Sequence, residues 1–217
     1  MSPPVINNMA EEKHVNYFAL QKACEKPGCP LCTLIEERIT RYIDIILFEH
    51  ISDRRFRADY KKSGGFCKEH SKVLLNFRDG LAVAILGRGT LSEYIEDFKK
   101  KKMRLYKGIC PACLKKNSIE EGFLSFLAEK HNENMQSELE SFFTKSEGLC
   151  LRHYAQMVKL IRRIPKWLET FQMEKFEQLY ERVSNFIELS AWGRQEDFAK
   201  LSDEDKIVWK ELAIKLQ

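Results

Sequence analysis

Apolar residues recur every three or four positions along most of the chain, the spacing of one face of an α-helix. Pro30 suits the first turn of one such helix, because proline lacks the N–H that a helix start leaves unpaired. No segment alternates apolar and polar residues in the manner of a half-buried strand. The pattern therefore predicts an all-α fold, and its clearest stretch follows the tetrapeptide CPLC, with apolar positions at Leu31, Leu34, Ile35, Ile39, Tyr42, Ile43, Ile46 and Leu47.

The helical pattern occurs in two successive series. Residues 1–14 are polar, contain the pair Pro3-Pro4, and are expected to be loose. In the second series a helix runs from CPAC through Lys130, and Ser202 resembles the cap of a C-terminal helix. The other predicted helices are at 16–25, from 29 onward, 53–61, 67–77, from 80 to near Tyr106, 133–145, from 150 onward and from 165 onward.

The two series are copies of one unit. A shift of 81 positions places Cys29 and Cys32 on Cys110 and Cys113, and a shift of 83 places Tyr60, Cys67 and His70 on Phe143, Cys150 and His153. Agreement over a whole unit indicates duplication of a four-helix module. The predicted division is an N-terminal segment with a short helix at 1–26, modules at 27–107 and 108–192, and a C-terminal helix at 193–217 that packs on the modules.

Composition supports a soluble globular protein. The chain has 217 residues, 44% of them hydrophobic and 31% charged, with a net charge of +4. No apolar run reaches the ~20 residues that span a bilayer, and residues 1–33 lack the apolar region of a signal peptide. We therefore expect a cytoplasmic location without membrane contact, where cysteine thiols stay reduced.

Cysteine and histidine form the set C-x-x-C…C-x-x-H twice, and this set is typical of metal ligands. Residues three apart at a helix start project from the same face, so two helix starts can close a tetrahedral site. Three thiolates and one imidazole suit zinc, and helix N-termini favour the resulting negative charge. The sequence predicts two structural zinc ions, one within each module, bound by Cys29, Cys32, Cys67 and His70 and by Cys110, Cys113, Cys150 and His153.

The cysteines allow two alternatives to zinc: an iron–sulfur cluster and dithiol redox catalysis. An iron–sulfur cluster is the main alternative to zinc, since one histidine can replace a cysteine, and it would make the protein a metalloenzyme or redox protein. Dithiol redox catalysis is disfavoured, because its C-x-x-C follows a strand. No catalytic motif stands out. The favoured function is a non-catalytic interaction or scaffold module with an unidentified protein partner.

Several residues outside the repeated set are candidates for a functional role. Cys24 has no counterpart in the second copy and is interpreted as a half-buried helix cysteine. His50 and His131 occupy equivalent positions and are interpreted as helix C-terminal residues rather than catalytic or ligand-supporting groups. The basic helix end 99–107 permits nucleic-acid binding as a second alternative. The aromatic series in 167–192 is interpreted as core or as a packing seam for a partner helix.

The motif order CPLC, SGGFCKEH, LAVAIL, CPAC and EGLCLRHY, with a C-terminal LSDED, resembles an uncharacterised bacterial and archaeal family of domain-of-unknown-function proteins. The resemblance extends from about Tyr17 to Leu216. It implies that the eight repeated cysteines and histidines are the family's motif residues. It implies no activity or substrate.

Overall fold

The computed structural model describes residues 6–102, 108–129 and 133–216, with side chains from residue 15 onward except at 133. Within these ranges the chain forms twelve α-helices, one π-helical turn and no strand, so the protein is all-α. The helices are α1 Ile6–Cys24, α2 Pro30–Ile45, α3 Arg54–Lys62, α4 Lys68–Leu75, α5 Gly80–Lys99, α6 Pro111–Ala128, α7 Glu133–Phe143, α8 Leu151–Leu160, α9 Lys166–Leu189, α10 Gln195–Ala199, α11 Asp203–Lys206 and α12 Val208–Lys215.

Each sequence module contributes four helices, α2–α5 and α6–α9, as the duplication predicts. Three predicted bounds need correction. The loose N-terminal segment is wrong from Ile6 onward, because α1 starts there and no proline or glycine interrupts it. α5 ends at Lys99, because Lys101 takes a positive φ of 52°. The C-terminal helix predicted at 193–217 is three short helices, α10, α11 and α12, the last two of which are separated at Ile207.

The chain divides into two compact units with boundaries inside α2 and α6. Unit 1 consists of residues 1–34 and 122–217, and unit 2 is the continuous segment 35–121. The boundaries predicted from the repeats follow the sequence copies, whereas the compact units combine parts of both copies. The largest fully buried side chains of unit 1 include Phe123 and Phe143, and those of unit 2 include Ile43 and Ile46.

Aromatic and ionic contacts order the helices within each unit. In unit 1, Tyr17 of α1 packs edge-on against Phe142 of α7 at 5.3 Å and donates a hydrogen bond to Glu138. Arg182 of α9 binds Asp205 and Glu211, each at 2.7 Å, and so holds the C-terminal helices. In unit 2, α5 lies against α3, where Lys61 and Glu93 form an ion pair at 3.2 Å.

Candidate metal centres

All eight predicted ligands lie at helix starts. Cys67 and Cys150 are the N-cap residues of α4 and α8, and His70 and His153 follow three positions later. Cys29 and Cys110 occupy the equivalent cap positions before α2 and α6. Their carbonyls accept hydrogen bonds from the backbone N–H groups of Thr33 and Leu114. The prediction that each motif begins a helix is confirmed. The positive ends of these helices favour thiolates.

The pairing of the motifs differs from the prediction. Site I contains Cys29, Cys32, Cys150 and His153, and site II contains Cys67, His70, Cys110 and Cys113. Each C-x-x-C therefore meets the C-x-x-H of the other repeat, and the predicted site within each module is wrong. Site I lies entirely in unit 1 and site II entirely in unit 2. The physical reason is that each compact unit combines helix starts from both copies.

Within each site the four ligand atoms lie within 4.8 Å of one another. In site I, Cys32 Sγ lies 3.8 Å from Cys150 Sγ, and His153 Nδ1 lies 3.4 Å from Cys29 Sγ. In site II the corresponding distances are 3.7 Å from Cys67 Sγ to Cys113 Sγ and 3.5 Å from His70 Nδ1 to Cys110 Sγ. In both sites the imidazole presents Nδ1 to the sulfurs.

The two sites differ in exposure. In site I, Cys29, Cys150 and His153 are buried, and Cys32 is exposed. In site II, His70 and Cys110 are buried, whereas Cys67 and Cys113 are half-buried. Solvent and competing ligands therefore reach site I through one thiol and site II through two.

The thiols of each cluster do not ionise alike. In site I, hydrogen bonds from the Cys29 and Cys32 thiols hold the pKa of Cys150 well below its usual range, whereas hydrogen bonds with Cys150 and Cys29 raise the pKa of Cys32. Burial and hydrogen bonding to Cys67 raise the pKa of Cys113 to about 12. Three neighbouring thiolates repel one another, so all three ionise together only when a bound cation compensates them.

Two opposing effects act on Cys67, and burial also acts on His70. Burial alone would raise the pKa of Cys67, but the backbone N–H of His70 and the thiols of Cys113 and Cys110 outweigh burial and lower it. Burial and the nearby Lys116 lower the pKa of His70. The imidazole is therefore favoured in the neutral form that a metal ion requires.

A repeated turn positions the C-x-x-H motif of each copy. Ser63 donates to the Tyr60 carbonyl at 2.7 Å and accepts from the Gly65 N–H at 3.3 Å. In the second copy, Ser146 donates to the Phe143 carbonyl at 2.7 Å and accepts from the Gly148 N–H at 3.1 Å. Gly65 and Gly148 have φ of 84° and 71°, a region that favours glycine. The repeated words SGGFC and SEGLC encode this turn.

Two residues that sequence reasoning missed support the turn before Cys150. Gln172 of α9 is buried, accepts from the Leu149 N–H at 2.7 Å and donates to its carbonyl at 3.0 Å. Lys215 of α12 is buried and donates to the carbonyls of Glu147 and Gly148. In site II the Tyr60 hydroxyl accepts from the Phe66 N–H instead. Nothing in the sequence pattern singles out Gln172.

Replacing Gln172 by leucine is expected to lower the free energy of unfolding by about 2–4 kcal/mol, because a buried N–H and a buried carbonyl lose their partners. A metal ion bound at site I would also pass faster to a colourimetric chelator, because the turn before Cys150 loosens. Urea unfolding and the transfer rate measure both effects. Gln178→Leu, on an exposed position of the same helix, is the matched control. Equal stability of the two variants would contradict the role of Gln172.

The remaining residues of interest lie apart from the two clusters. Cys24 is buried and belongs to neither group, and burial raises its pKa to about 12. His50 is exposed at the end of the π-helical turn, with its ring 5.7 Å from that of Phe56. His131 lies outside the described residues, as do positions 103–107 of the basic helix end. In the described parts of the chain, no helix has the length and apolarity needed to cross a membrane.

The fold and the two clusters define an all-α protein with two Cys3His groups that could hold metal ions. A profile of a family of unknown function, DUF6062, matches residues 12–132, which include six of the eight predicted ligands. The chain belongs to this family. It is also similar to an uncharacterised 23.9 kDa protein in the xynA 3′ region of Caldicellulosiruptor sp. strain Rt8B.4, with 25% identity over 165 residues, 74% of this chain and 79% of that protein. No solved structure matches the chain.

Proposed function

We propose that sites I and II each bind one structural zinc ion, and that the protein is a non-catalytic helical module for protein interaction in the cytoplasm. The observation that carries this proposal is the convergence of two helix starts on each Cys3His group, with all four ligand atoms within 4.8 Å. Each ion would join segments that are far apart in sequence, and would thereby stabilise its own compact unit.

The distances between ligand atoms support a single ion at each site. A tetrahedral zinc ion with ordinary bond lengths separates its sulfurs by about 3.8 Å and sulfur from nitrogen by about 3.6 Å. One sulfur pair in each site lies at 3.7 or 3.8 Å, and the sulfur–nitrogen pairs lie at 3.1–3.5 Å. An iron–sulfur cluster distributes its protein ligands over several irons, so it needs them farther apart. The geometry therefore favours a single ion, which we propose is zinc, over such a cluster.

The ligand count supports a structural role. Four protein ligands fill the coordination sphere of zinc, whereas a catalytic zinc keeps one position for water or substrate. Zinc also has no redox chemistry of its own. A helical protein that uses two ions only for its shape is suited to present surfaces to a partner, and this is why we favour an interaction module over an enzyme.

Elemental analysis of protein purified without added metal tests the proposal. We expect two zinc ions per chain, no iron and no visible absorbance. The variant Cys32→Ser/Cys113→Ser should lose both ions, while Cys24→Ser, at the cysteine outside both clusters, should keep them. Iron in place of zinc, with the brown colour of an iron–sulfur cluster, would contradict the proposal and would favour a redox role.

A further inference from the structure

Helix α5 carries an exposed apolar stripe that ends in a run of lysines. The α5 stripe consists of Leu91, Tyr94, Ile95 and Phe98, at the spacing of one helix face. Phe98 is 73% exposed and Leu91 59%. Buried Ala82 and Leu86 lie on the side of α5 that packs inward, so the stripe is a second apolar surface. The run Lys99–Lys102 follows directly, with all four residues exposed.

Helix α9 carries a second apolar stripe. Its residues are separated alternately by three and four positions, the spacing of a coiled-coil seam. Tyr180 is 74% exposed, Ile187 65% and Met173 53%. A shallow groove on this face is lined by Phe176, Tyr180 and two glutamates. The α9 stripe is Met173, Phe176, Tyr180, Val183 and Ile187.

An acidic row runs beside the α9 stripe. Glu174, Glu177 and Glu181 are all exposed and lie three or four positions apart. Like charges at this spacing destabilise a helix by a few tenths of a kcal/mol each. Two cations of the same helix have other partners: Arg182 binds Asp205 and Glu211, and Lys175 lies over the Phe171 ring. The row therefore carries a local cost in helix stability, which a basic partner would relieve.

We propose that the partner of this surface is a second copy of the chain, whose α5 stripe and lysine run dock on the α9 stripe and its acidic row. Contact of the two stripes removes apolar surface from water, and the opposite charges fix the pairing. Pairing α9 with another α9 in antiparallel fashion would bring the glutamates together. This inference rests on the proposed function, because it names the partner of the proposed interaction module.

Analytical ultracentrifugation of the metal-loaded full chain tests the interface. We expect the mass to rise above that of one chain with increasing concentration, and the association to weaken with salt. Tyr180→Asp and Phe98→Asp should each raise the dissociation constant by at least about tenfold, because each puts a charge into an apolar contact. Trp192→Asp, at a residue that is 97% exposed and outside both stripes, is the matched control and should leave association unchanged.

Charge reversal tests the pairing of the two surfaces. Glu177→Lys/Glu181→Lys and Lys100→Glu/Lys102→Glu should each weaken association, and the combination of all four changes should restore it. A wild-type chain that stays monomeric at every concentration would overturn the interface, as would a fourfold variant without recovery. Metal content is measured on every sample. A monomer with two bound ions refutes only the interface, whereas a chain without metal refutes the proposed function.

Discussion

Replacing Cys67 by serine should release the metal of site II alone and leave Cys110 and Cys113 open to alkylation. These two thiols share a cluster with Cys67, whereas Cys29 and Cys32 share theirs with Cys150. Metal content should fall from two ions to one. Mass spectrometry of peptides after brief treatment with iodoacetamide reports which thiols have lost protection, because a metal-bound thiolate reacts slowly.

Two comparisons sharpen this experiment. Cys150→Ser should produce the opposite pattern, with Cys29 and Cys32 alkylated and site II intact. Cys24→Ser should keep both ions, because Cys24 belongs to neither cluster. If Cys67→Ser instead exposed Cys29 and Cys32, the ligands would pair within each repeat, and the arrangement described above would be refuted.

Removal of both ions by a strong chelator is expected to abolish cooperative unfolding and most of the helical signal. Binding of a structural zinc contributes apparent free energies of about 10–16 kcal/mol, which is comparable to the total stability of about 5–15 kcal/mol of an ordinary domain. Site I brings residues 29–32 to residues 150–153, so an ion bound there would hold two distant segments of unit 1 together. Circular dichroism during thermal unfolding, with and without chelator, measures the effect.

Return of zinc to the metal-free chain should fill site II before site I. Closing the chain from His70 to Cys110 costs less conformational entropy than closing it from Cys32 to Cys150, by about 1 kcal/mol or roughly fivefold in affinity. Alkylation after one equivalent of zinc measures the order, since the filled site is protected. Equal protection of the two sites would show that loop closure does not control the order of loading.

For the chelator experiment, the contradicting result is a metal-free chain that unfolds as cooperatively as the metal-bound chain. That result would refute the structural role of the ions.

The eight clustered cysteines and histidines and the helical class could be predicted from sequence, because both depend on local spacing. A cysteine followed three positions later by cysteine or histidine marks two side chains on one face of a helix start, whatever the rest of the chain does. The capping hydroxyl of Ser202 was likewise readable, and it accepts from the Asp205 N–H at 3.0 Å. Such features need no knowledge of distant contacts.

The pairing of ligands could not be predicted from sequence, because it depends on tertiary contacts. The segment between Cys32 and Cys67 has nearly the same length as the segment between His70 and Cys110, so chain length permits either partner. Both copies also carry the same motifs, and donor chemistry cannot distinguish them. The role of Gln172 could not be predicted for a related reason. Its side chain binds the backbone of Leu149, and the two residues become neighbours only after folding.

The exchange of motifs between the two repeats has consequences for the origin of the chain and for its division into single repeats. Residues 27–107 alone contain one half of each ligand set, as do residues 108–192. An ancestor with a single repeat could have completed its coordination only by associating with an identical molecule. Fusion of the two genes would then have converted an intermolecular assembly into an intramolecular one, and neither half could afterwards be discarded without emptying both centres.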